Sequence, residues 1–245
     1  MTGGLAERVA TQLRTHLPLA RTFPVDVEGL ARQLGVDEIL RVADLVEDGR
    51  LERRDGHVRV LLAARSNPQR QRFTLAHEIG HLLLADPDRD TIARRMRTDD
   101  EVERFCDAFA AALLLPREVI NAEYRAMPRS LAVLRRIVEQ SDTSLAAATV
   151  RLHEVAGWPQ ALLHWKRSDR GWTYRWGAAV PMTYHRRLRS APDTSARLDA
   201  LALRSRSDQR AEITMRVGPT VIRLDGEISV RGRSAVGLMA FPRLR

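Results

Sequence analysis

The stretch "RFTLAHEIGHLLL", residues 72–84, constrains this chain more than any other. Two histidines stand four apart, a glutamate follows the first, and apolar residues lie on both sides. On a helix, positions i and i+4 share one face, so His77 and His81 can offer two imidazole nitrogens to one cation. Such donors suit zinc, at bond lengths of roughly 2.0–2.1 Å. Glu78 lies one residue round the helix. It cannot share the ligand face, but it can reach a water beside the metal and move its proton. Gly80 costs the helix about 1 kcal/mol relative to alanine, so a small residue is wanted there, and the expectation is space beside the metal. The bland alternative is a buried helix that happens to hold two histidines. The specificity of the pattern, and the scatter of the other five histidines, favour the metal.

Two ligands do not complete a catalytic zinc site, which usually has three protein ligands and a water. The next helical stretch reads "DDEVERFCDAFAAALLLP". Glu103 and Asp107 are four apart and share a face, while Phe105, Phe109 and Leu113 supply an apolar one. Glu103 is the expected third ligand, with Glu101 and Asp107 as competitors. Asp107 can instead accept the free ring N–H of a ligating histidine. Acidic residues at a helix start also complement its dipole, which accounts for Asp99 to Glu101 better than for Asp107.

The 245 residues allow one large domain or two to three small ones, and 44% hydrophobic content supports a packed core. No apolar run approaches the roughly 20 residues of a membrane span, and the N-terminus lacks a secretory h-region. Cys106 is the only cysteine, which excludes an intrachain disulfide and a cysteine-rich zinc module. The expected location is cytoplasmic. The net charge of +9 is unevenly spread: residues 1–126 hold 19 basic and 21 acidic side chains, residues 127–245 hold 21 and 10. A basic second half suits nucleic acid, an acidic partner, or simply a solvated arginine-rich surface.

Periodicity predicts a helix over 4–17 and a short one after Asp26 that ends by Gly35. Residues 39–64, with turn signals at Asp48-Gly49 and Asp55-Gly56, predict a small antiparallel meander. Its last run, residues 57–62, is the expected edge strand for a substrate peptide. "SNPQRQ" reads as a break before a motif helix over about 71–85, which "DPDRD" ends. Helices follow over about 100–115 and from Pro116 to about Arg125. "SLAVLRRIVEQ" and "SLAAATVRLHEVA" read as two helices joined by "SDT", a helix-turn-helix in which Thr143 or Ser144 caps the second. Arg135, Arg136 and Arg151 could meet phosphates there. The alternative is packing or docking of a protein substrate. Beyond Gly157 a hairpin around Asp169-Arg170-Gly171, a helix, and strands turning at Gly218-Pro219 and Asp225-Gly226 predict a separate α+β module. Trp158, Trp165, Trp172 and Trp176 are expected in its core, with ligand sensing as their alternative use.

"RQRFTLAHEIGHLLL" followed by "EVERFCDAFAAALLLP" resembles the ImmA/IrrE metallopeptidase family, and "FPVDVEGLARQLGV" resembles its N-terminal approach. The resemblance covers about Phe23 to Pro116. It implies that His77, His81 and Glu103 are zinc ligands and Glu78 the general base. Asp107 stands where the family commonly has Asn, and Cys106 and Leu115 replace the usual Ala and Met. It also implies a minimal gluzincin-like fold and a DNA-binding repressor as protein substrate, cleaved in a stress or mobile-element response. The layout resembles IrrE-type members, which carry a helix-turn-helix and a GAF-like domain. The expectation is thus an α+β chain with a peptidase domain over 1–126, a helix-turn-helix segment over 127–157 and a sensor or substrate-docking domain over 158–245. Specific DNA binding is expected to be weak or absent, and a small-molecule signal is assigned to the C-terminal domain. The competing class is a DNA-binding or sensor protein whose zinc is structural. Such a site is closed by four protein ligands and needs no base beside it.

Overall fold

The computed structural model describes residues 2–85, 96, 98–204 and 207–242. It is a mixed α+β chain, as expected, and divides into two compact units. One comprises residues 1–119 and 138–144, the other 120–137 and 145–245. The "DPDRD" segment lies outside the described residues.

The first unit opens with helices α1 (Thr2–His16), α2 (Pro18–Arg21) and α3 (Val27–Gln33). Asp26 caps α3 by accepting from Gly29 N–H, and Gly35 beyond its end takes φ +93°. Strands β1 (Glu38–Val42), β2 (Gly49–Arg54) and β3 (His57–Ala63) follow, in the order β1-β3-β2. The antiparallel meander is therefore corrected. β2 and β3 form an antiparallel hairpin through Asp55 and Gly56, both at positive φ, whereas β1 runs parallel to β3. The second correction follows from the first: residues 57–62 form the central strand, because apolar Val60 and Leu62 are buried there, and the edges are β1 and β2.

The motif helix α4 spans Pro68–Leu84, three residues earlier than expected. "SNPQRQ" is its start: Asn67 accepts from Arg70 N–H at 2.9 Å and Pro68 occupies the first turn, where its missing N–H has no cost. Helix α5 (Asp99–Leu114) is capped by Thr98. Phe105, Phe109 and Leu113 of α5 join Leu75, Ile79 and Leu83 of α4 in one core with α1. Arg72 pins α4 to Asp142 at 3.1 Å and to the Val25 carbonyl at 3.0 Å.

After Pro116 one α-turn (Arg117–Val119) passes into a π-helical turn (Ile120–Tyr124). The expected helix pair is present as α6 (Leu131–Ser141) and α7 (Leu145–Ala156). The second unit is built on strands β4 (Gln160–Ser168), β5 (Gly171–Ala178), β6 (Leu188–Ser190), β7 (Gln209–Val217), β8 (Thr220–Arg231) and β9 (Ser234–Ala240). They form one antiparallel sheet, order β5-β4-β9-β8-β7-β6. Helix α8 (Met182–His185) and helix α9 (Thr194–Arg204) complete it. Asp225-Gly226 is no turn: β8 runs straight through it, and a Cβ on Gly226 would lie 2.1 Å from the Leu238 carbonyl of β9. The glycine answers a close backbone approach, not a change of direction. Trp158, Trp165 and Trp172 are buried as expected, whereas Trp176 is 41% exposed and stacks on His164.

A candidate metal centre

α4 presents His77 and His81 on one face, and α5 crosses it so that Glu103 meets both rings. Nε2 of His77 lies 3.1 Å from Nε2 of His81. The Glu103 carboxylate oxygens lie 3.2 Å from His77 Nε2 and 3.3 Å from His81 Nε2. Four ligands around a zinc ion at roughly 2.0–2.1 Å stand about 3.3 Å apart along the tetrahedron's edges. The two ring nitrogens are thus spaced as one ion would hold them, and the Glu103 carboxylate turns one oxygen to each, Oε2 to His77 and Oε1 to His81. Asp107, one turn along α5, accepts the His77 Nδ1 hydrogen at 2.9 Å, which leaves Nε2 as the lone-pair nitrogen facing the cluster.

The two helices come this close because of Gly80. A Cβ there would lie 3.0–3.2 Å from the sulfur, Cα and Cβ of Cys106. The space expected beside the metal is therefore occupied by the neighbouring helix, and the glycine brings Glu103 within reach of the histidines. Cys106 was not expected near the centre. Its sulfur falls within 4.8 Å of a ring nitrogen of each of His77 and His81, which makes it a further nearby donor. Sequence spacing hides it, because it sits on the buried side of α5 between Glu103 and Asp107.

Glu78 is 7% exposed. Strand β2 passes over it: Gly49 lies so close that a Cβ would meet Thr74 at 2.2 Å and Glu78 Oε1 at 3.1 Å. The backbone of Leu51 hydrogen-bonds the Glu78 carboxylate. The Asp48-Gly49 pair, read as a turn signal, thus also lets an edge strand approach the carboxylate.

Burial raises the Glu78 pKa, Glu103 raises it further, and the Leu51 hydrogen bond and His77 pull it back only in part. Burial disfavours a charged His77, but the hydrogen bond to Asp107 and the nearby carboxylates outweigh it, and its pKa is raised. His81 goes the other way, lowered by burial and then by His77. Burial pushes the Cys106 thiol up, with the carboxylates adding to it. The centre opens into a cleft of ≈ 830 Å³ lined by β2 on one side and by Phe73, His77 and His81 on the other. All five residues expected at the site, His77, Glu78, His81, Glu103 and Asp107, line this cleft. Glu101 takes no place in its lining.

With this geometry in hand, similarity places the chain. Residues 31–153 match the profile of the IrrE N-terminal-like domain, a peptidase family. The radiation response metalloprotease IrrE of Deinococcus deserti is 38% identical over 97 residues, 36% of this chain and 34% of that protein. That of Deinococcus radiodurans is 34% identical over 104 residues, 40% of this chain and 31% of that protein. The matched part thus spans about a third of either relative. A solved Mycobacterium tuberculosis transcriptional regulator shares the fold at TM-score 0.54 and 16% identity, covering 98% of this chain and 87% of that one. The match covers half the chain, the histidine helix within it, and leads to one conclusion: this protein belongs to the IrrE N-terminal-like peptidase family.

Proposed function

We propose that this protein is a zinc-dependent endopeptidase of the gluzincin type, in which His77, His81 and Glu103 hold the metal. The observation that carries this reading is the cluster of two imidazole nitrogens, 3.1 Å apart, and the Glu103 carboxylate, whose oxygens lie 3.2 and 3.3 Å from them, beside a buried carboxylate at an open cleft. Zinc bound there would supply a Lewis acid and an acidified water. Glu78, one residue round from His77, takes a proton from the attacking water and returns it to the leaving amine. Its burial keeps the carboxylate's proton affinity above the ordinary carboxylate range, which suits a group that must both accept and release a proton. Asp107 fixes the His77 ring through its Nδ1 hydrogen. The substrate lies along the open edge of β2 as an added strand.

The substrate is a protein, and the reading we favour is a DNA-binding helix-turn-helix repressor cut in a stress or mobile-element response, inside the cytoplasm. The name of the Deinococcus relatives, radiation response metalloproteases, supports a stress role. Catalysis is assigned to residues 1–126, and docking or sensing to 127–157 and 158–245. A structural zinc is the second reading, favoured by Cys106 as a nearby fourth donor. Glu78→Gln decides between them. It should keep its zinc and fold but lose proteolysis at least about 100-fold. Wild-type cleavage by Glu78→Gln would refute the mechanism.

A further inference from the structure

We infer that Arg53 selects substrates carrying an Asp or Glu side chain within two residues of the scissile bond. The inference rests on the substrate strand proposed above and adds a side-chain preference to it.

The phase of the β2–β3 pair comes first. Ala63 N–H donates to the Asp48 carbonyl at 2.9 Å, and the register then runs Arg50 opposite Leu61 and Glu52 opposite Arg59. In an antiparallel pair, hydrogen-bonded and non-hydrogen-bonded positions alternate. Arg50 and Glu52 therefore spend their backbone groups on β3, while Gly49, Leu51 and Arg53 turn theirs to the open edge. Leu51 obeys this: its outward backbone group meets Glu78. Arg53 is the next outward position, about 6–7 Å along the strand from Leu51. It shares the face of Gly49 and Leu51, which is the face packed on α4.

Charge comes second. Three arginines line the cleft. Arg50 pairs with Glu47 at 2.8 Å, and Arg70 pairs with Asp48 at 2.6 Å. Arg53 is exposed and has no acidic partner among the described residues. The cleft's other carboxylates are engaged elsewhere: Glu103 and Asp107 face the histidine rings, and Glu78 faces Leu51. A residue on an added strand directly opposite Arg53 would bring its Cβ within roughly 4.5–5.5 Å on the same face, and opposite charges are favoured there. A carboxylate is the group that answers a guanidinium without an acidic partner among the described residues, bidentately where geometry allows.

The test uses the full-length zinc-loaded protein and a randomised decapeptide library, with products sequenced. Asp and Glu should be enriched at one position within two residues of the cut. Replacing that residue by its amide should lower kcat/KM roughly two- to fivefold, an effect that shrinks as salt rises. Arg53→Ala should erase the preference, and Arg53→Glu should invert it toward Lys and Arg, with zinc content unchanged in both. A preference that survives Arg53→Glu overturns the inference. A second measurement stands apart from catalysis: anisotropy binding of acidic and amide peptide pairs to Glu78→Gln and to Glu78→Gln with Arg53→Ala. Carboxylate-dependent binding that needs Arg53, with no cleavage by the wild type, would sink the peptidase reading and leave Arg53's role standing. Equal binding of the two peptides would overturn the role of Arg53 whatever the protease assay shows.

Discussion

Gly80 carries no side chain, and what faces it is Cys106, itself fully buried. A branched residue there must push α5 off α4, and α5 is what carries Glu103. Gly80→Val should therefore cost about 1–3 kcal/mol in denaturant unfolding, through overpacking, and should weaken zinc binding measured by competition with a chelator. A stability loss with unchanged zinc affinity would show that Glu103 does not depend on this contact. Two substitutions on α5 separate the proposed ligand Glu103 from the nearby Cys106. Glu103→Ala should lose stoichiometric zinc by metal analysis, whereas Cys106→Ser should keep it. The opposite pattern would exchange their roles. Residue types and spacing alone made His77, Glu78 and His81 legible, since i, i+4 geometry is local to one helix. Cys106 and Gly80 were not legible as a pair, because their contact spans two helices.

Between elements, the start of β2 is tied to the motif helix by Asp48. Its carboxylate accepts from Arg70 Nε at 2.9 Å and Nη2 at 2.6 Å, and from Ser66. The Arg70 hydrogen bond holds the Asp48 pKa below its ordinary value, against a smaller opposing effect of burial. A folded pKa below the unfolded one, roughly 3.9, means stabilisation that is present at neutral pH. It starts to fade below about pH 4 and is lost as pH falls through the folded value. The pair is partly exposed, so its worth is discounted to roughly 0.5–1 kcal/mol. Asp48→Asn should be less stable than wild type by that amount in urea at pH 7, with the gap closing as pH drops below about 4. A gap that persists in acid would assign the effect to packing instead. The hairpin at Asp55-Gly56 was readable, because a two-residue turn with both φ positive has a local signature. The place of β1 was not, since its parallel pairing with β3 joins strands some twenty residues apart and leaves no local signature. Nor was the role of Gly226, because a glycine demanded by a neighbouring strand looks in sequence like one demanded by a turn.

Over the whole chain, the basic second half raises the question of nucleic acid. Two of the three arginines expected to meet phosphates are engaged within the protein: Arg135 pairs with Asp208, and Arg151, 4% exposed, lies beside Glu154. Arg136 alone of the three is exposed. The start of α6 is also bound within the second unit, its Leu131 N–H held by Glu227 of β8 at 2.7 Å. DNA binding should therefore be weak, with a dissociation constant in the non-specific range of roughly 10⁻⁴–10⁻⁶ M at physiological salt. It should show no sequence preference and fall steeply as salt rises. Fluorescence anisotropy with random and operator-like duplexes checks this, and nanomolar binding to one defined site would restore the DNA-binding regulator reading.

The sequence by itself determined what stands along each element: the histidine pair and its neighbouring carboxylate on one helix, the acidic pair on the next, and the two-helix segment at 131–156. These follow from helical periodicity, caps and turns, which act over a few residues. Only the tertiary structure decided which edge faces the centre, since edge and centre are defined by pairing partners. It alone brought Cys106 close to the two histidines and β2 over Glu78, through two glycines whose purpose is the close approach of something distant in the chain. It also decided which arginines are available, because a guanidinium's freedom depends on the carboxylates that folding places beside it.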